Sequence, residues 1–124
     1  MTIAEVAQKY GLSADTLRYY ERIGLLPPIG RTAGGIRSYS EIDCNWVSFI
    51  KCMRRAGLPL EVLIDYVSLF QQGESTKKAR KALLVEQQAA LQERIAEMQQ
   101  TLEYLSYKID HYDDIVYPIE SSLE

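Results

Sequence analysis

The stretch Ser13–Tyr39, with the sequence SADTLRYYERIGLLPPIGRTAGGIRSY, contains the features that decide the fold. Ser13 is a good cap for a helix, which Gly24 then ends. The prolines and glycines that follow exclude a further helix, and the pair Gly34-Gly35 predicts a hairpin turn. A short helix followed by a hairpin is therefore expected here, with arginines and tyrosines on both.

Another short helix is predicted just before this stretch. Thr2 with Glu5 three residues later is a capping box, and Gly11 is placed to end the helix in the left-handed conformation. Two helices joined by a short turn around a glycine form the outline of a helix-turn-helix, whose second helix lies in the DNA major groove. The hairpin beside them would be a wing.

Candidate DNA contacts lie on the second helix and the hairpin. We expect Arg18 and Tyr19 to enter the groove and the other side chains to contact the sugar–phosphate backbone. Arginine suits the second task because its planar fork is always charged and grips phosphate oxygens with two hydrogen bonds. The alternative is that the loop arginines are ordinary solvated residues. The candidate set is Thr16, Arg18, Tyr19, Tyr20, Arg31, Arg37 and Tyr39.

Motifs in this part of the chain carry a resemblance to a known family: Arg18-Tyr19-Tyr20-Glu21, then Gly24-Leu25-Leu26, then Arg31, Gly35, Arg37 and Tyr39. They closely resemble the amino-terminal domain of the MerR transcription regulators, at motif level over roughly residues 1–70. The resemblance implies a homodimer on a two-fold operator between promoter elements that are spaced too far apart. It also implies that the activated protein bends and untwists double-stranded promoter DNA, and so acts on RNA polymerase indirectly, through the promoter.

The charge of the chain is divided between its halves. The formal net charge is −3, but residues 1–55 carry eight Lys or Arg against five Asp or Glu, whereas residues 56–124 carry six against twelve. A basic first half fits a DNA-reading part, and the acidic half should not touch phosphate. No apolar run is long enough to span a membrane, the first helix leaves no room for a signal peptide, and two cysteines without a pairing pattern fit a reducing compartment. A cytoplasmic protein is expected.

A third helix is predicted from the Ser40 cap to Arg55, and a fourth over Leu60–Gln71. Apolar residues fall on one stripe of the third helix, which should pack in the core with its tryptophan as the anchor: Ile42, Trp46, Phe49, Ile50 and Met53. The fourth helix should turn Phe70 inward. A basic cluster follows at Lys77, Lys78, Arg80 and Lys81. It is interpreted as a solvated face, with a contact to flanking DNA backbone as the alternative.

A long helix is predicted from about Thr76 to Asp113, a segment without glycine or proline. Its apolar residues repeat every 3.5 positions, which is typical of a coiled-coil seam that needs a partner helix. The simplest partner is a second copy of the chain, and a different protein is the rival. Tyrosines near the end, from Tyr104 to Tyr117, either pack against the partner's fourth helix or fill the surface. The seam is Leu84, Leu91, Ile95, Met98, Leu102, Leu105 and Ile109.

The predicted fold is therefore mainly α: a winged helix-turn-helix DNA-binding domain followed by a long coiled-coil dimerisation helix. The expected divisions are residues 1–71 for the DNA-binding domain, 75–114 for the coiled coil and 115–124 for a carboxyl-terminal tail. Family resemblance implies that the coil is antiparallel, a point that the spacing alone leaves open. The chain should end too soon after the coil for a separate drug-binding domain.

Metals and cofactors are not expected, because no cysteine follows Cys52 and His111 stands alone. Cys44 and Cys52 lie too far apart on one helix for a disulfide, with Cys44 opposite the apolar stripe and Cys52 at its edge. Nearby Lys51 and Arg55 favour the thiolate of Cys52. The third helix resembles that of the NmlR/AdhR branch of the family, which implies a functional cysteine that responds to aldehydes, other electrophiles or nitrosative stress. The alternative is that Cys52 is a small buried apolar residue.

The leading interpretation is a homodimeric, sequence-specific transcription regulator with Cys52 as its sensor thiol. A second class is an architectural winged-helix protein that bends DNA without an effector, against which the long coil argues. A third is a thiol enzyme that uses Cys52, which is set aside because no histidine or acid–base group accompanies it in sequence. We therefore expect no enzymatic activity.

Overall fold

The computed structural model describes residues 1–124, and the chain is mainly α-helical, as predicted. It divides into two compact units, Met1–Leu83 and Leu84–Glu124. A short 3-10 turn, Glu74–Thr76, precedes the longest helix, and a π-helical turn, Tyr112–Val116, follows it. The helices are α1 (Ile3–Tyr10), α2 (Ala14–Arg22), α3 (Glu41–Arg55), α4 (Leu60–Gln71), α5 (Lys77–Asp110) and α6 (Tyr117–Ser121).

Local capping explains where the first two helices begin and end. The Glu5 N–H donates to Thr2 Oγ1 at 3.2 Å, and the Thr2 N–H donates to Glu5 Oε1 at 2.9 Å, which completes the capping box. Gly11 ends α1 with φ = 67°, and the Thr16 N–H donates to the hydroxyl oxygen of Ser13 at 3.0 Å. The predicted helix-turn-helix is confirmed in these elements.

The segment between α2 and α3, which was predicted to be a wing, contains no regular strands. Arg31 and Arg37 form a single antiparallel bridge, and the Thr32 N–H donates to the Ile36 carbonyl at 2.8 Å. The Gly35 N–H donates to the Thr32 carbonyl at 2.9 Å, and Gly35 has φ = 81°. The predicted hairpin turn is present, but its limbs share too few hydrogen bonds to form a sheet. "Wing" below means residues 30–38.

The core of the Met1–Leu83 unit corrects the predicted orientation of α3. Ile42 was expected to pack inside, but its side chain is 68% exposed, whereas Cys44, expected on the opposite side, is 7% exposed. Val47 and Ile50 continue the buried face of α3. The reason is that α3 has two apolar stripes and packs on both α1 and α4, which buries the stripe through Val47 and leaves the one through Trp46 only half-buried.

The fourth helix begins and ends where the sequence predicted, but the orientation of one of its side chains differs from the prediction. Leu63 and Val67 are fully buried in the core, because they lie one helical turn apart on the inner face. Phe70, which was expected to point inward, is 47% exposed. It lies one residue before the end of α4, where the chain leaves the core.

The Leu84–Glu124 unit consists of most of α5 and a short carboxyl-terminal segment, residues 111–124, called the hook below. The α5 helix has no glycine or proline, is 34 residues long and ends at Asp110, three residues before the predicted end. In the hook, the Tyr112 hydroxyl donates to the Glu120 carboxylate at 2.7 Å, an interaction that raises the pKa of Tyr112. No helix of the chain has both the length and the apolar character that crossing a membrane requires.

Candidate nucleic-acid interface

The outer face of α2 presents two of the predicted contacts together. Leu17 is fully buried and anchors the inner face, which leaves Arg18 and Tyr19 exposed on the other side. Arg18 Nη1 lies 2.9 Å from Asp15 Oδ1, one helical turn earlier, so its guanidinium is held along the helix surface. Both partners are largely exposed, so this pair adds little stability and can rearrange when a ligand approaches.

Arg22 belongs to the same face, and the sequence reasoning missed it. Its guanidinium carbon lies 5.4 Å from the centre of the Tyr19 ring, which is the geometry of a cation–π contact. The spacing of three residues on a predicted helix was the signal that could have found it. With Arg18, it gives α2 two exposed cations on either side of an exposed tyrosine.

The remaining candidates on α2, Thr16 and Tyr20, are half-buried and form hydrogen bonds at the two ends of the helix. The Thr16 and Ser13 hydroxyls share a hydrogen bond of 2.8 Å at the start of the helix. The Tyr20 carbonyl accepts hydrogen bonds from the N–H groups of Leu25 and Leu26 at 2.9 and 3.2 Å, which turn the chain out of the helix. Part of each side chain is still accessible beside the exposed face.

The two wing arginines occupy different environments. Arg31 is exposed, and its Nη1 donates to the Gly35 carbonyl at 2.9 Å. This hydrogen bond stabilises the turn of the wing. Arg37 is half-buried, with its Nε 2.8 Å from Glu21 Oε1. The bond to Nε leaves the two terminal nitrogens of the Arg37 fork without a protein partner. A guanidinium held in this way keeps donors available for a phosphate.

Glu21 is the residue that ties the wing to α2, and the sequence reasoning gave it no role of its own. Its second carboxylate oxygen accepts a hydrogen bond from the Ile29 N–H at 3.2 Å. Partial burial alone would raise the pKa of Glu21, but the hydrogen bonds from Arg37 and Ile29 and the charges of Arg37 and Arg31 outweigh it, so the pKa lies below its usual value. The ionised carboxylate therefore connects three segments.

Tyr39 does not lie on this surface, which corrects its placement among the contacts. Its side chain is 3% exposed, and its hydroxyl is buried without a hydrogen-bond partner. Its backbone N–H donates to the Met1 carbonyl at 2.8 Å, and its carbonyl accepts from the Met1 amino group at 2.9 Å. Burial, and then the nearby Glu21 charge, raises the pKa of the Tyr39 hydroxyl. Tyr39 is a core residue whose backbone ties the end of the wing to the first residue of the chain.

The two cysteines also differ from each other. Cys44 is buried, and its Sγ lies 3.9 Å from Met1 Sδ. Cys52, two helical turns later, is exposed in the folded chain. Because α3 turns its Val47 stripe inward, Cys52 falls on the outer side, so it is not a buried filler of the core. The structure thus separates one sheltered thiol from one accessible thiol.

The sequence that forms this arrangement matches a known protein family. The model of the MerR helix-turn-helix family of regulatory proteins matches residues 1–83. The chain belongs to the MerR family. This membership confirms the predicted family and the class of transcription regulator, in place of an enzyme.

Two individual relatives are similar to most of this MerR-family chain. It is 54% identical over 91 residues to the HTH-type transcriptional regulator AdhR of Bacillus subtilis, and that match covers 73% of this chain and 65% of AdhR, just under two thirds. A crystal structure of a MerR-family regulator from Listeria monocytogenes is 49% identical, with a TM-score of 0.72 over 99% of this chain and 93% of the other.

A third comparison is with a solved complex. HiNmlR, described as a MerR family regulator lacking the sensor domain and bound to promoter DNA, is 34% identical to this chain. The TM-score is 0.66, and the match covers 90% of this chain and 89% of that one. AdhR and HiNmlR together support the predicted NmlR/AdhR branch of the family.

Proposed function

We propose that this MerR-family chain is a homodimeric regulator that binds promoter DNA through α2 and the wing. The observation that carries the proposal is that one helix connects the candidates: α2 exposes Arg18 and Tyr19, and its Glu21 binds Arg37 of the wing. Arg18 and Tyr19 would read the major groove, and the wing would bind phosphates. The related HiNmlR was solved on promoter DNA, which supports this assignment. The proposed contacts are Thr16, Arg18, Tyr19, Tyr20, Arg22, Arg31 and Arg37.

The second copy would join through the apolar seam of α5. Ile95, Met98 and Leu102 are 58%, 71% and 55% exposed, so the single chain leaves this stripe in water. A helix of this length does not bury such a stripe by itself, and pairing two copies removes it from solvent. A two-fold dimer would present two copies of α2 to paired half-sites on one face of the duplex.

The proposed action on transcription is a change in DNA shape. Contacts along the backbone of two half-sites can supply the energy to bend and untwist the DNA between them. RNA polymerase would then respond to the altered promoter and need not touch the regulator. Family membership supports this mode of action.

The proposed signal is an electrophile that reacts with Cys52. The side chain is exposed on α3, and the flanking residues Lys51, Arg54 and Arg55 are exposed cations. Arg54 Nη1 donates to the Leu58 carbonyl at 2.9 Å, so the end of α3 is tied to the turn before α4. A Cys52 thiolate would add to an aldehyde carbonyl carbon while a proton passes to the carbonyl oxygen, which gives a hemithioacetal without a redox partner. The added group at α3 would shift the DNA-binding helices.

Substitution of Arg37 tests the DNA-binding surface. Because a phosphate contact is independent of sequence, Arg37→Ala should weaken binding to any duplex and reduce the slope of log K against log salt by about 0.9. The control is Arg94→Ala, which removes the same charge from α5 outside the proposed surface. Fluorescence anisotropy over a salt series on a duplex taken from the DNA beside the protein's own gene measures both. An unchanged slope for Arg37→Ala would refute the wing contact.

Substitution of Cys52 tests the sensor independently. Cys52→Ser removes the nucleophile with little change in volume, so induction by aldehydes or nitrosating agents should be lost while DNA affinity stays normal. Cys44→Ser is the matched control, because that thiol is buried. Promoter output is measured with a reporter in strains that carry each variant. Full induction with Cys52→Ser would show that Cys52 is not the sensor, whereas a wild-type protein whose promoter output never responds to these agents would be an effector-independent DNA-binding protein.

A further inference from the structure

The hydroxyl of Tyr39 is buried in the fold without a hydrogen-bond partner. The whole side chain is 3% exposed, so water does not take the place of that partner at the surface. A buried donor without an acceptor costs free energy, and a phenylalanine at this position would avoid that cost. The hydroxyl therefore does not stabilise the free chain, and a role for it belongs to another state of the protein.

Tyr39 and Arg37 lie on the same side of one limb of the wing. The Ser38 N–H donates to the Gly30 carbonyl at 2.8 Å, which keeps this limb extended, and alternate residues of an extended chain share a face. On that face Arg37 Nε lies 2.8 Å from Glu21 Oε1. After burial, the Glu21 charge contributes most to raising the pKa of the Tyr39 hydroxyl. The hydroxyl is therefore on the Glu21 side of the core.

The Glu21 carboxylate can accept more hydrogen bonds than it receives. Arg37 Nε donates to one of its oxygens and the Ile29 N–H to the other. An ionised carboxylate has about four lone-pair sites, so each oxygen can accept a further donor. A donor without an acceptor thus lies beside an acceptor with spare capacity.

Bound DNA would increase the demand for donors at Glu21. This step rests on the proposed function, in which the terminal nitrogens of Arg37 bind a phosphate. One guanidinium would then serve two anions, and the phosphate charge would come close to the Glu21 carboxylate. Because neighbouring like charges disfavour the ionised form, Glu21 would need a new donor to stay ionised.

We infer that Tyr39 is a positioning residue whose hydroxyl donates to the Glu21 carboxylate when Arg37 binds a phosphate. A hydrogen bond from a phenol to an ionised acceptor is stronger than one between neutral groups. It would keep Glu21 ionised and bound to the Ile29 N–H, so the loop after α2 stays in place while the wing holds DNA. Tyr39 acts through Glu21 and does not touch the duplex.

A double-mutant cycle tests this exchange of donors without DNA. Arg37→Met removes the guanidinium but keeps a long side chain over Glu21, so the Tyr39 hydroxyl should become the donor in the free protein. Tyr39→Phe should then lower the urea midpoint by about 0.5 M in the Arg37→Met background at pH 7 and one protein concentration. In the wild-type background it should leave the midpoint unchanged or raise it. Tyr10→Phe removes a half-buried hydroxyl from α1 and should be neutral in both backgrounds.

DNA affinity gives a second arm, which requires no change at Arg37. Tyr39→Phe should weaken binding to a duplex from the DNA beside the protein's own gene by about three- to tenfold, the value of one hydrogen bond. In the Arg37→Met background the same substitution should change the affinity by less than about twofold, because the hydroxyl would already be in use before DNA binds. Fluorescence anisotropy measures the four affinities, and circular dichroism establishes that each variant is folded.

Equal shifts of the urea midpoint by Tyr39→Phe in the two backgrounds would overturn the inference, because the hydroxyl would then have the same partner with and without Arg37. Wild-type affinity of Tyr39→Phe, together with a salt slope reduced by about 0.9 in Arg37→Met, would overturn the inference alone. An unchanged salt slope in Arg37→Met would refute the phosphate contact of the proposed function, and the inference with it.

Discussion

At the scale of single residues, Glu21 connects the separate parts of the candidate interface. Its two carboxylate oxygens hold Arg37 Nε at 2.8 Å and the Ile29 N–H at 3.2 Å. A single side chain at the end of α2 therefore places the loop after the helix and the wing beyond it. Its position fits a requirement for an anion between two hydrogen-bond donors.

Glu21→Gln should destabilise the fold by about 1–2 kcal/mol. The amide has one acceptor oxygen for two donors and no charge to pair with Arg37, and hydrogen bonds to charged groups contribute about 1.5–3 kcal/mol when well formed. Both side chains are partly exposed, so solvent screening reduces the expected effect to about 1–2 kcal/mol. Urea unfolding at pH 7 measures the difference. Glu86→Gln on the exposed face of α5 is the control and should change stability by less than about 0.5 kcal/mol.

The difference in stability between the wild-type protein and Glu21→Gln should depend on pH. The pKa of Glu21 is lower in the folded chain than its ordinary value of 4.5, so the native state favours the ionised form. Its contribution to stability is therefore full above the ordinary pKa and is lost as the pH falls through the folded pKa. The gap between wild type and Glu21→Gln should stay constant from neutral pH down to about pH 5.5. It should then shrink on further acidification, and a constant gap at pH 3 would contradict this account.

At the scale of elements, the wing depends on backbone conformation more than on sheet pairing. One bridge joins its limbs, and the turn closes through the left-handed Gly35, whose carbonyl accepts the hydrogen bond from Arg31 Nη1. An ideal Cβ at Gly35 would meet nothing within 4 Å, so the demand for glycine comes from φ and not from crowding. The neighbouring Gly34 does not have a positive φ.

These two adjacent glycines form a matched pair for an experiment. Gly35→Ala should destabilise the protein by about 1 kcal/mol, because a side chain in the left-handed region costs about 1–2 kcal/mol. Gly34→Ala should be neutral or slightly stabilising, because its Cβ would lie at an ordinary 3.8 Å from Thr32 Oγ1. Chemical denaturation measures both, and equal effects at the two positions would show that the described turn is wrong.

At the scale of the whole molecule, the single chain leaves the apolar seam of α5 exposed to solvent. Leu91, Leu105 and Ile109 are 44%, 55% and 64% exposed, along the length of one helix. Their burial between two chains would be worth about 25 cal/mol for each Å² of apolar surface removed from water. The stability of the regulator should therefore depend on its concentration.

Leu102→Asp should convert the proposed dimer into monomers at micromolar concentration. A carboxylate in the seam would be buried without a partner, at a cost of several kcal/mol. Analytical ultracentrifugation measures the mass, and circular dichroism shows whether α1 to α4 remain folded. Gln100→Asp introduces the same charge on α5 away from the seam and should leave the dimer intact. A wild-type protein that is monomeric under these conditions would contradict the proposed assembly.

The sequence by itself determined helices α1 to α5 and, for α1 to α4, most of their ends, but it did not predict α6. Caps such as Ser13, and stops such as Gly11, act on the few residues beside them, so their effect can be read without knowledge of the rest of the chain. The long α5 helix and its seam were also predictable, because a repeat of 3.5 residues is a property of the chain alone. Motif order was sufficient to identify the family before any geometry was known.

Tertiary structure alone decided which of two plausible faces became the core. Helix α3 carries apolar stripes through both Val47 and Trp46, and only its packing against α1 and α4 buries the first and leaves the second half-buried. The same packing buried Cys44 and Tyr39 and exposed Cys52. Burial is a competition between surfaces that are distant in sequence, so periodicity can identify the competing stripes but cannot choose between them.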